Sequence, residues 1–138
     1  MNLGESSIMI EHTNDLEKKD LFFDTYAFFE ILKGNTNYKK YEKAEIITTK
    51  LNMFELYLGI LRHVNTEDAQ KVLDKYYPFV TEFGQEVIKD AALLKIALNE
   101  RDVSMTDCIG YCLAKQLGIK FLTGDSTFEN LENVEFTK

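Results

Sequence analysis

Hydrophobic residues recur from residue 21 onward in two alternating patterns, short apolar runs and longer stripes with helical spacing. The short runs predict five strands, at residues 21–23, 45–48, 79–83, 119–122 and 134–136. The stripes, with apolar residues three and four apart, predict helices at residues 25–33, 52–64, 66–77, 85–101 and 104–117. Strands that alternate with helices favour an α/β fold, a three-layer α/β/α sandwich with a mainly parallel sheet of four to five strands.

Residues with strong capping or helix-breaking preferences mark the ends of these helices. Thr66 and Ser104 are typical N-caps, Pro78 stops the helix before it, and Gly118 suits the position that follows a helix. A break at residues 34–37 separates the first helix from a short helical segment. These signals support the division of the chain into short, regularly alternating elements.

The first twenty residues lack this periodicity and end in a charged run. We therefore expect residues 1–20 to be an N-terminal extension, partly disordered, with a weak strand candidate at residues 7–11. Residues 21–138 form one domain, since 138 residues suffice for a single core but not for two ordinary domains. The composition, 45% hydrophobic with one proline, is that of a globular protein.

Neither a membrane location nor an oxidising compartment is indicated. No apolar run approaches the ~20 residues of a membrane-spanning helix, and the polar, acidic first residues do not resemble a signal peptide. Cys108 and Cys112 lie in an apolar stretch and are too few for a disulfide framework or a zinc site. We therefore expect a cytoplasmic protein in which both cysteines are buried thiols.

Four acids occupy positions where an α/β fold collects functional groups. Asp24 follows the first strand, and Asp125 follows the strand at residues 119–122. Glu55 and Asp107 lie in the expected first turns of two helices. Because ligands gather at the carboxyl ends of parallel strands, we expect these four carboxyl groups to meet at one edge of the sheet.

A structural role is open for each acid taken singly. Asn52 and Glu55, like Ser104 and Asp107, have the spacing of a capping box, and Asp24 and Asp125 suit a helix cap or a turn. Four carboxylates at one edge, however, repel one another unless a cation neutralises them. Oxygen ligands without histidine or cysteine favour Mg²⁺ or Mn²⁺, and a pair of such ions suits phosphodiester hydrolysis.

The segments around these acids resemble those of one family. They are residues 21–27 (LFFDTYA), 52–56 (NMFEL), 104–110 (SMTDCIG) and 121–128 (FLTGDSTF). In this order they are similar to the PIN-domain nucleases, and most of all to the VapC-like toxins of toxin–antitoxin pairs. The resemblance covers residues 21–136. It implies a flavodoxin-like sandwich and a Mg²⁺- or Mn²⁺-dependent endoribonuclease that hydrolyses RNA.

The resemblance also implies roles for individual residues and partners. Asp24, Glu55, Asp107 and Asp125 match the acidic quartet that binds the metal and catalyses cleavage, and Thr123 matches a small polar residue that supports the last acid. Asn52 and Ser104 match polar helix caps near the site. VapC-like proteins typically form homodimers and are blocked by an antitoxin that inserts a basic side chain among the acids. The chain departs from the family at Tyr26, where serine or asparagine is common, and in its N-terminal extension.

The net charge of −7 permits an RNA substrate without indicating one. Residues 1–20 hold five acids and two bases, which leaves 14 bases and 18 acids for the domain, four of them the proposed metal ligands. Bases and aromatic residues are densest at residues 33–43. There, Lys33, Lys39, Lys40 and Lys43 could contact phosphates while Tyr38 and Tyr41 stack on bases, or the segment is a solvated face with its tyrosines packed inward.

The sequence is also compatible with other functions. A PIN nuclease in RNA processing would have the same residues, and a non-catalytic PIN-like module that binds RNA or protein would have the same fold. The sequence lacks the paired acids of a response-regulator-like phosphoacceptor. It also lacks the second aspartate of an Asp-x-Asp phosphatase, because the motif here reads Asp24-Thr25-Tyr26. For a homodimer, apolar positions such as Phe28, Phe29, Tyr57 and Ile60 are candidate contacts, although the same residues suit the core.

Overall fold

The structure, a computed structural model, describes residues 19–99 and 102–138. The strand candidate at residues 7–11 lies outside the described residues. Of the predicted extension, only Lys19 and Asp20 are described, and Asp20 is already part of the first strand.

Four parallel strands form the sheet, in the order β2-β1-β3-β4. They are β1 (Asp20–Phe23), β2 (Glu45–Ile47), β3 (Lys120–Thr123) and β4 (Val134–Phe136). In the central pair Phe22 lies opposite Phe121, and Phe23 lies opposite Leu122. All strands therefore end at the same edge of the sheet, as the alternation of strands and helices predicted.

The described residues form five α-helices: α1 (Thr25–Leu32), α2 (Lys50–His63), α3 (Thr66–Tyr76), α4 (Gln85–Leu98) and α5 (Met105–Leu117). Three 3₁₀ segments complete the described elements, Thr36–Tyr41, Tyr77–Phe79 and Ser126–Phe128. No helix in the described ranges is both long and apolar enough to cross a membrane.

The hydrophobic core has two parts, one on each face of the sheet. Successive side chains of a strand point to opposite faces. Leu21 and Phe23 therefore pack with residues of α1, α2 and α3, whereas Phe22 packs with residues of α4 and α5. This arrangement confirms the predicted three-layer α/β/α sandwich.

The strand predicted at residues 79–83 is wrong. Phe79 ends a 3₁₀ turn that contains Pro78, and the extended chain beyond it makes a single bridge, between Val80 and Thr48. The segment touches the edge of the sheet at β2 for only one residue before Gly84 caps α4. Apolar residues here contact the core without forming a ladder.

Three predicted helix boundaries also need correction. α2 begins at Lys50 and not at residue 52, because the Thr49 hydroxyl caps it by accepting a hydrogen bond from the Asn52 amide. Asn65, not Thr66, caps α3. α4 ends at Leu98 because Asn99 adopts a left-handed conformation (φ 50°) that stops the helix. The predicted ends at Ser104 and Gly118 are confirmed.

The apolar positions proposed for a dimer contact belong largely to the core. Phe28 and Ile60 are buried, and Phe29 and Tyr57 pack against the same core as half-buried residues. Exposed apolar side chains lie elsewhere. They include Phe54, Leu61, Val64 and Tyr77 on and beside α2 and α3, and Ile88, Leu93 and Ile96 on α4.

We predict that Gly110→Ala destabilises the protein although alanine favours helices. A methyl group on Gly110 would lie 2.7 Å from the ring of Phe22 and 3.1 Å from that of Phe121, both fully buried. Overpacking of this kind costs about 1–3 kcal/mol, more than the roughly 1 kcal/mol gained from helix propensity. Urea unfolding measures the difference.

Gly59→Ala is the matched control in another helix. Its methyl group would meet only the end of the half-buried Phe29 ring, which can rotate away. Gly59→Ala should therefore cost less than Gly110→Ala, and equal losses for the two variants would contradict the close packing of α5 on the sheet.

Candidate active site

The four predicted acids all lie at the carboxyl edge of the sheet. Asp24 directly follows β1, and Asp125 follows the neighbouring strand β3 after one glycine. α2 follows β2 and α5 precedes β3, so both helices begin at this edge. Glu55 in the second turn of α2 and Asp107 in the first turn of α5 therefore join the two aspartates.

Three of the acids also cap helices. Asp24 accepts a hydrogen bond from the Ala27 amide (2.9 Å) at the start of α1, and Asp125 accepts one from Thr127 (3.0 Å). Asp107 forms a capping box with Ser104, accepting from the Ser104 amide (3.3 Å) while its own amide donates to the Ser104 hydroxyl (3.0 Å). These acids therefore do have the capping role that their sequence positions suggested. Capping uses only part of the hydrogen-bond acceptor capacity of each carboxylate.

Burial sets the properties of Asp24, which is only 1% exposed. Desolvation raises the pKa of its carboxyl group to about 8, and the charges of Asp107 and Asp125 act in the same direction. Hydrogen bonding with Thr123 and the Ala27 amide opposes this rise. The first acid of the group thus favours its neutral form near pH 7 unless positive charge is brought to it.

Asp107 interacts with the remaining acids. Its pKa is raised to about 6, mainly by burial. Hydrogen bonding with Ser104 opposes this rise, and the charges of Glu55 and Asp125 contribute to it. The charges of Glu55 and Asp125 therefore act on Asp107, and the charges of Asp107 and Asp125 act on Asp24. These effects indicate that the four carboxyl groups lie in one region of negative charge.

The surroundings of Glu55 differ from the prediction. The helix starts at Lys50, so Glu55 lies in its second turn and Asn52 is not the cap. Glu55 accepts a hydrogen bond from the Thr25 hydroxyl at 2.7 Å, across from α1. Asn52 is fully buried and donates to the same hydroxyl (3.1 Å). Asn52 thus acts through its side chain rather than by starting the helix.

Thr123 lies between the two strand-end acids. Its hydroxyl accepts a hydrogen bond from the Asp125 amide (3.0 Å), and hydrogen bonding with it lowers the pKa of Asp24. A buried threonine at the end of β3 therefore contacts both strand-end acids.

Tyr26 fills the space beside these two acids. A methyl group on Gly124 would lie 2.3 Å from its ring and 2.5 Å from the Thr137 carbonyl oxygen. Only glycine leaves room for the aromatic ring at this position. The departure from the family pattern at Tyr26 is thus accommodated by the residue that precedes Asp125.

The basic segment at residues 33–43 divides into two parts. Tyr38 and Tyr41 are buried, with hydroxyl groups that donate to the Thr137 carbonyl oxygen and to Glu135. They cannot stack on RNA bases, so that interpretation is wrong. The four predicted lysines, Lys33, Lys39, Lys40 and Lys43, are exposed, and Lys33 pairs with Glu30 at 2.8 Å.

Sequence reasoning missed two residues near the site, Thr25 and Thr49. Both are buried, and they connect α1 to α2 through hydrogen bonds with Asn52. The spacing of Thr49 and Asn52 is that of an N-cap and its third helical residue, and this signal was available in the sequence. The hydrogen bond between Thr25 and Glu55 joins residues thirty positions apart, so no short sequence pattern predicts it.

The chemistry of these side chains fits a hard divalent cation, although they are not arranged as a finished site. In residues 19–99 and 102–138 no three His, Cys, Asp or Glu side chains already stand in a metal-binding arrangement. Each carboxylate is held by a donor on its own or a neighbouring element. The donor set nevertheless consists of carboxylate oxygens. Burial and the charges of neighbouring acids raise the pKa values of Asp24 and Asp107, and Mg²⁺ or Mn²⁺ would relieve this effect.

Known structures share this fold. The chain resembles one in a toxin–antitoxin complex from Klebsiella pneumoniae, with a TM-score of 0.67 and 14% identity over 83% of this chain and 95% of that one. It also resembles a chain of VapBC2 from Rickettsia felis, in a crystal structure with a DNA fragment from their promoter. There the TM-score is 0.64 and the identity 16%, over 86% of this chain and 97% of that one.

The family comparison covers nearly all of the domain. No curated protein matches the chain. The family model described as PIN domain, however, matches residues 21–134, which contain β1 except for its first residue, β3 and all four acids. Since the match spans more than half of the sequence, the protein belongs to the PIN domain family.

Proposed function

We propose that this protein is a Mg²⁺- or Mn²⁺-dependent endoribonuclease that holds its metal with Asp24, Glu55, Asp107 and Asp125. PIN domains are generally nucleases that depend on divalent metal. The observation that carries the proposal is the buried Asp24 carboxyl group, whose pKa is raised to about 8 at an edge where Asp107 and Asp125 add negative charge. The charged form of such a group is unfavourable in the folded protein, and a bound cation would stabilise it.

The protein's own residues would have distinct tasks in this reaction. Asp24 and Asp125 would hold the metal from the ends of β1 and β3, and Glu55 and Asp107 would hold it from α2 and α5. The metal would activate water for attack on the phosphodiester and stabilise the charge on the leaving oxygen. Lys39, Lys40 and Lys43 lie on the segment between the end of α1 and the start of β2, away from the carboxyl edge of the sheet. They would therefore contact RNA phosphates at a distance from the metal.

We further propose that the protein is the toxin of a toxin–antitoxin pair. The two solved relatives come from a toxin–antitoxin complex and from VapBC2, and their folds match most of this chain. A cluster of carboxylates is also a good receptor for an arginine side chain, which pairs with them in a bidentate manner. An antitoxin that places a basic residue at Asp24 and Asp107 would block the metal site directly.

Homodimer formation is part of the same proposal. An apolar groove of about 490 Å³ lies between α2 and α3, lined by residues that include Phe54, Leu61 and Tyr77. Phe54 is 66% exposed and, with Leu61 and Tyr77, forms an exposed apolar patch. Tyr57, which the sequence suggested for protein contacts, also lines this groove, whereas Phe28 and Ile60 belong to the core.

Asp24→Asn and Asp107→Asn should each lower RNA cleavage by about 100-fold or more, because loss of a metal ligand removes several kcal/mol of transition-state stabilisation. Cleavage by the wild-type protein should require Mg²⁺ or Mn²⁺ and stop in EDTA. The matched control is Asp90→Asn, an exposed aspartate on α4. Full cleavage by either site variant would contradict the proposal.

Cell growth during expression of the wild type and of the same variants tests the toxin role separately. Expression of the wild-type chain alone should arrest growth, and Asp107→Asn should relieve the arrest. If the wild-type protein cleaves RNA in vitro yet accumulates without a growth defect, an RNA-processing role replaces the toxin role. If it binds RNA without cleaving it, the protein is a binding module.

The metal-free protein should lose stability as pH rises. The pKa of Asp24 in the folded protein, about 8, lies above its ordinary value of 3.8. The folded state therefore holds a proton that the unfolded state has released, and this contribution to stability is complete below pH 4 and lost as pH rises through about 8. Asp107, with a pKa near 6, adds to the same trend.

Asp24→Asn should remove most of this loss while keeping the cap on α1, since asparagine is also a good N-cap. At pH 8 in EDTA the variant should be more stable by roughly 1–3 kcal/mol, given about 1.4 kcal/mol per pKa unit and partial relaxation. Urea unfolding at pH 5 and pH 8 measures the change. If the free energy of unfolding changed with pH equally in the two proteins, ionisation of Asp24 would not be the cause of the lost stability.

Light scattering at micromolar concentration should give twice the chain mass of 16.0 kDa. Phe54→Ser should shift the protein toward the monomer, because it removes the most exposed aromatic side chain of the groove. Ile96→Ser, a change of an exposed apolar residue on α4, is the control. A monomeric wild-type protein would exclude the homodimer and leave the groove to another partner.

A further inference from the structure

Three buried polar residues meet where α1 and α2 begin. Thr49 and Asn52 are fully buried, and Thr25 is 9% exposed. Buried polar groups are retained in folded proteins where they have hydrogen-bond partners. Here the partners form one continuous chain that crosses from α2 to α1 and returns to α2 at Glu55.

Every hydrogen bond in this chain has a single possible direction. The Thr49 hydroxyl donates to the Asn52 Oδ1 atom (2.7 Å), which can only accept. Asn52 Nδ2 can only donate, and it donates to the Thr25 Oγ1 atom (3.1 Å). The single hydroxyl proton of Thr25 is then left for Glu55 Oε1 (2.7 Å), which accepts it as a carboxylate.

Rotating the Asn52 amide by half a turn would break this order. Oδ1 would then face Thr25, and the one proton of the Thr25 hydroxyl would have to serve both Asn52 and Glu55. The observed orientation satisfies all of these groups, so the amide of Asn52 fixes the direction in which the Thr25 hydroxyl points.

The last member of this series of hydrogen bonds is Glu55, a flexible side chain whose position depends on such a hydrogen bond. Glu55 lies in the second turn of α2, where a glutamate on a helix surface samples many rotamers. In the described structure its only side-chain hydrogen bond comes from Thr25. Glu55 lies near the start of α2, at the carboxyl edge of the sheet, and its charge acts on Asp107.

We propose that Thr25, oriented by Asn52 and Thr49, is a positioning residue that holds the Glu55 carboxylate toward the other acids for metal binding. This inference rests on the proposed function, because Glu55 is a metal ligand only if that proposal holds. Thr25 itself touches neither metal nor RNA in this role. It acts by restricting a ligand, in the way that hydrogen bonds to metal ligands usually do.

The test compares four full-length proteins: wild type, Thr25→Val, Thr25→Ser and Thr48→Val. Valine keeps the shape of threonine without the hydroxyl, and serine restores the hydroxyl. Thr48→Val is the matched control, because Thr48 is as buried as Asn52 and its hydroxyl donates to the Phe23 carbonyl oxygen, away from Glu55. Thermal melts in EDTA show whether each variant is folded.

Titration with Mn²⁺, followed by electron paramagnetic resonance, gives the first readout. Thr25→Val should weaken Mn²⁺ binding about 10–100-fold, the usual effect of losing a hydrogen bond to a metal ligand. Thr25→Ser and Thr48→Val should bind nearly as the wild type does. Unchanged affinity in Thr25→Val, or an equal loss in Thr48→Val, would overturn the proposal.

Two further measurements separate this proposal from the proposed function. In RNA cleavage at fixed Mn²⁺, Thr25→Val should lower kcat with little change in KM, since RNA binding does not involve Thr25. If the wild type neither binds Mn²⁺ nor cleaves RNA, the proposed function fails. Crystals of metal-free Thr25→Val then decide the positioning role: a displaced Glu55 side chain supports it, and an unmoved one overturns it.

Discussion

The parallel pairing of β1 with β3 is the constraint on which the rest of the structure depends. It sets Phe22 against Phe121 and brings the ends of the two strands together, so that Asp24 and Asp125 share one edge. The same pairing requires α5 to cross close over the sheet, where Gly110 leaves room for the two aromatic rings. Core packing and the position of the site therefore have a common origin.

The site is built from groups that also serve the fold. Asp24, Asp107 and Asp125 cap helical segments, and these caps hold each carboxyl group at the acidic edge. Their burial nevertheless disfavours the charged form, most strongly at Asp24. A stable fold alone would not need three aspartates at the starts of these helical segments, since asparagine or serine caps a helix as well. The clustering of acids at this edge therefore indicates a function in addition to helix capping.

Much of the fold followed from local pattern, and the errors arose where tertiary contacts decide. Apolar residues after Pro78 resemble a strand, yet only Val80 reaches the sheet edge. The start of α2 depended on whether Thr49 or Asn52 caps it, and Asn52 is instead drawn into hydrogen bonds with α1. For the candidate site, the sequence identified the four acids and Thr123 but not Thr25, because its bond to Glu55 connects distant parts of the chain.

The sequence by itself determined the alternation of strands and helices and the placement of acids after β1 and β3, because periodicity and capping are local properties. Family resemblance added the PIN domain, and the family match supports it. Only the tertiary structure decided which apolar residues are core and which are surface, since Phe28 and Phe54 look alike in sequence and differ in burial. It also decided how Glu55 is held, because hydrogen bonds between α1 and α2 exist only once both helices pack on the sheet.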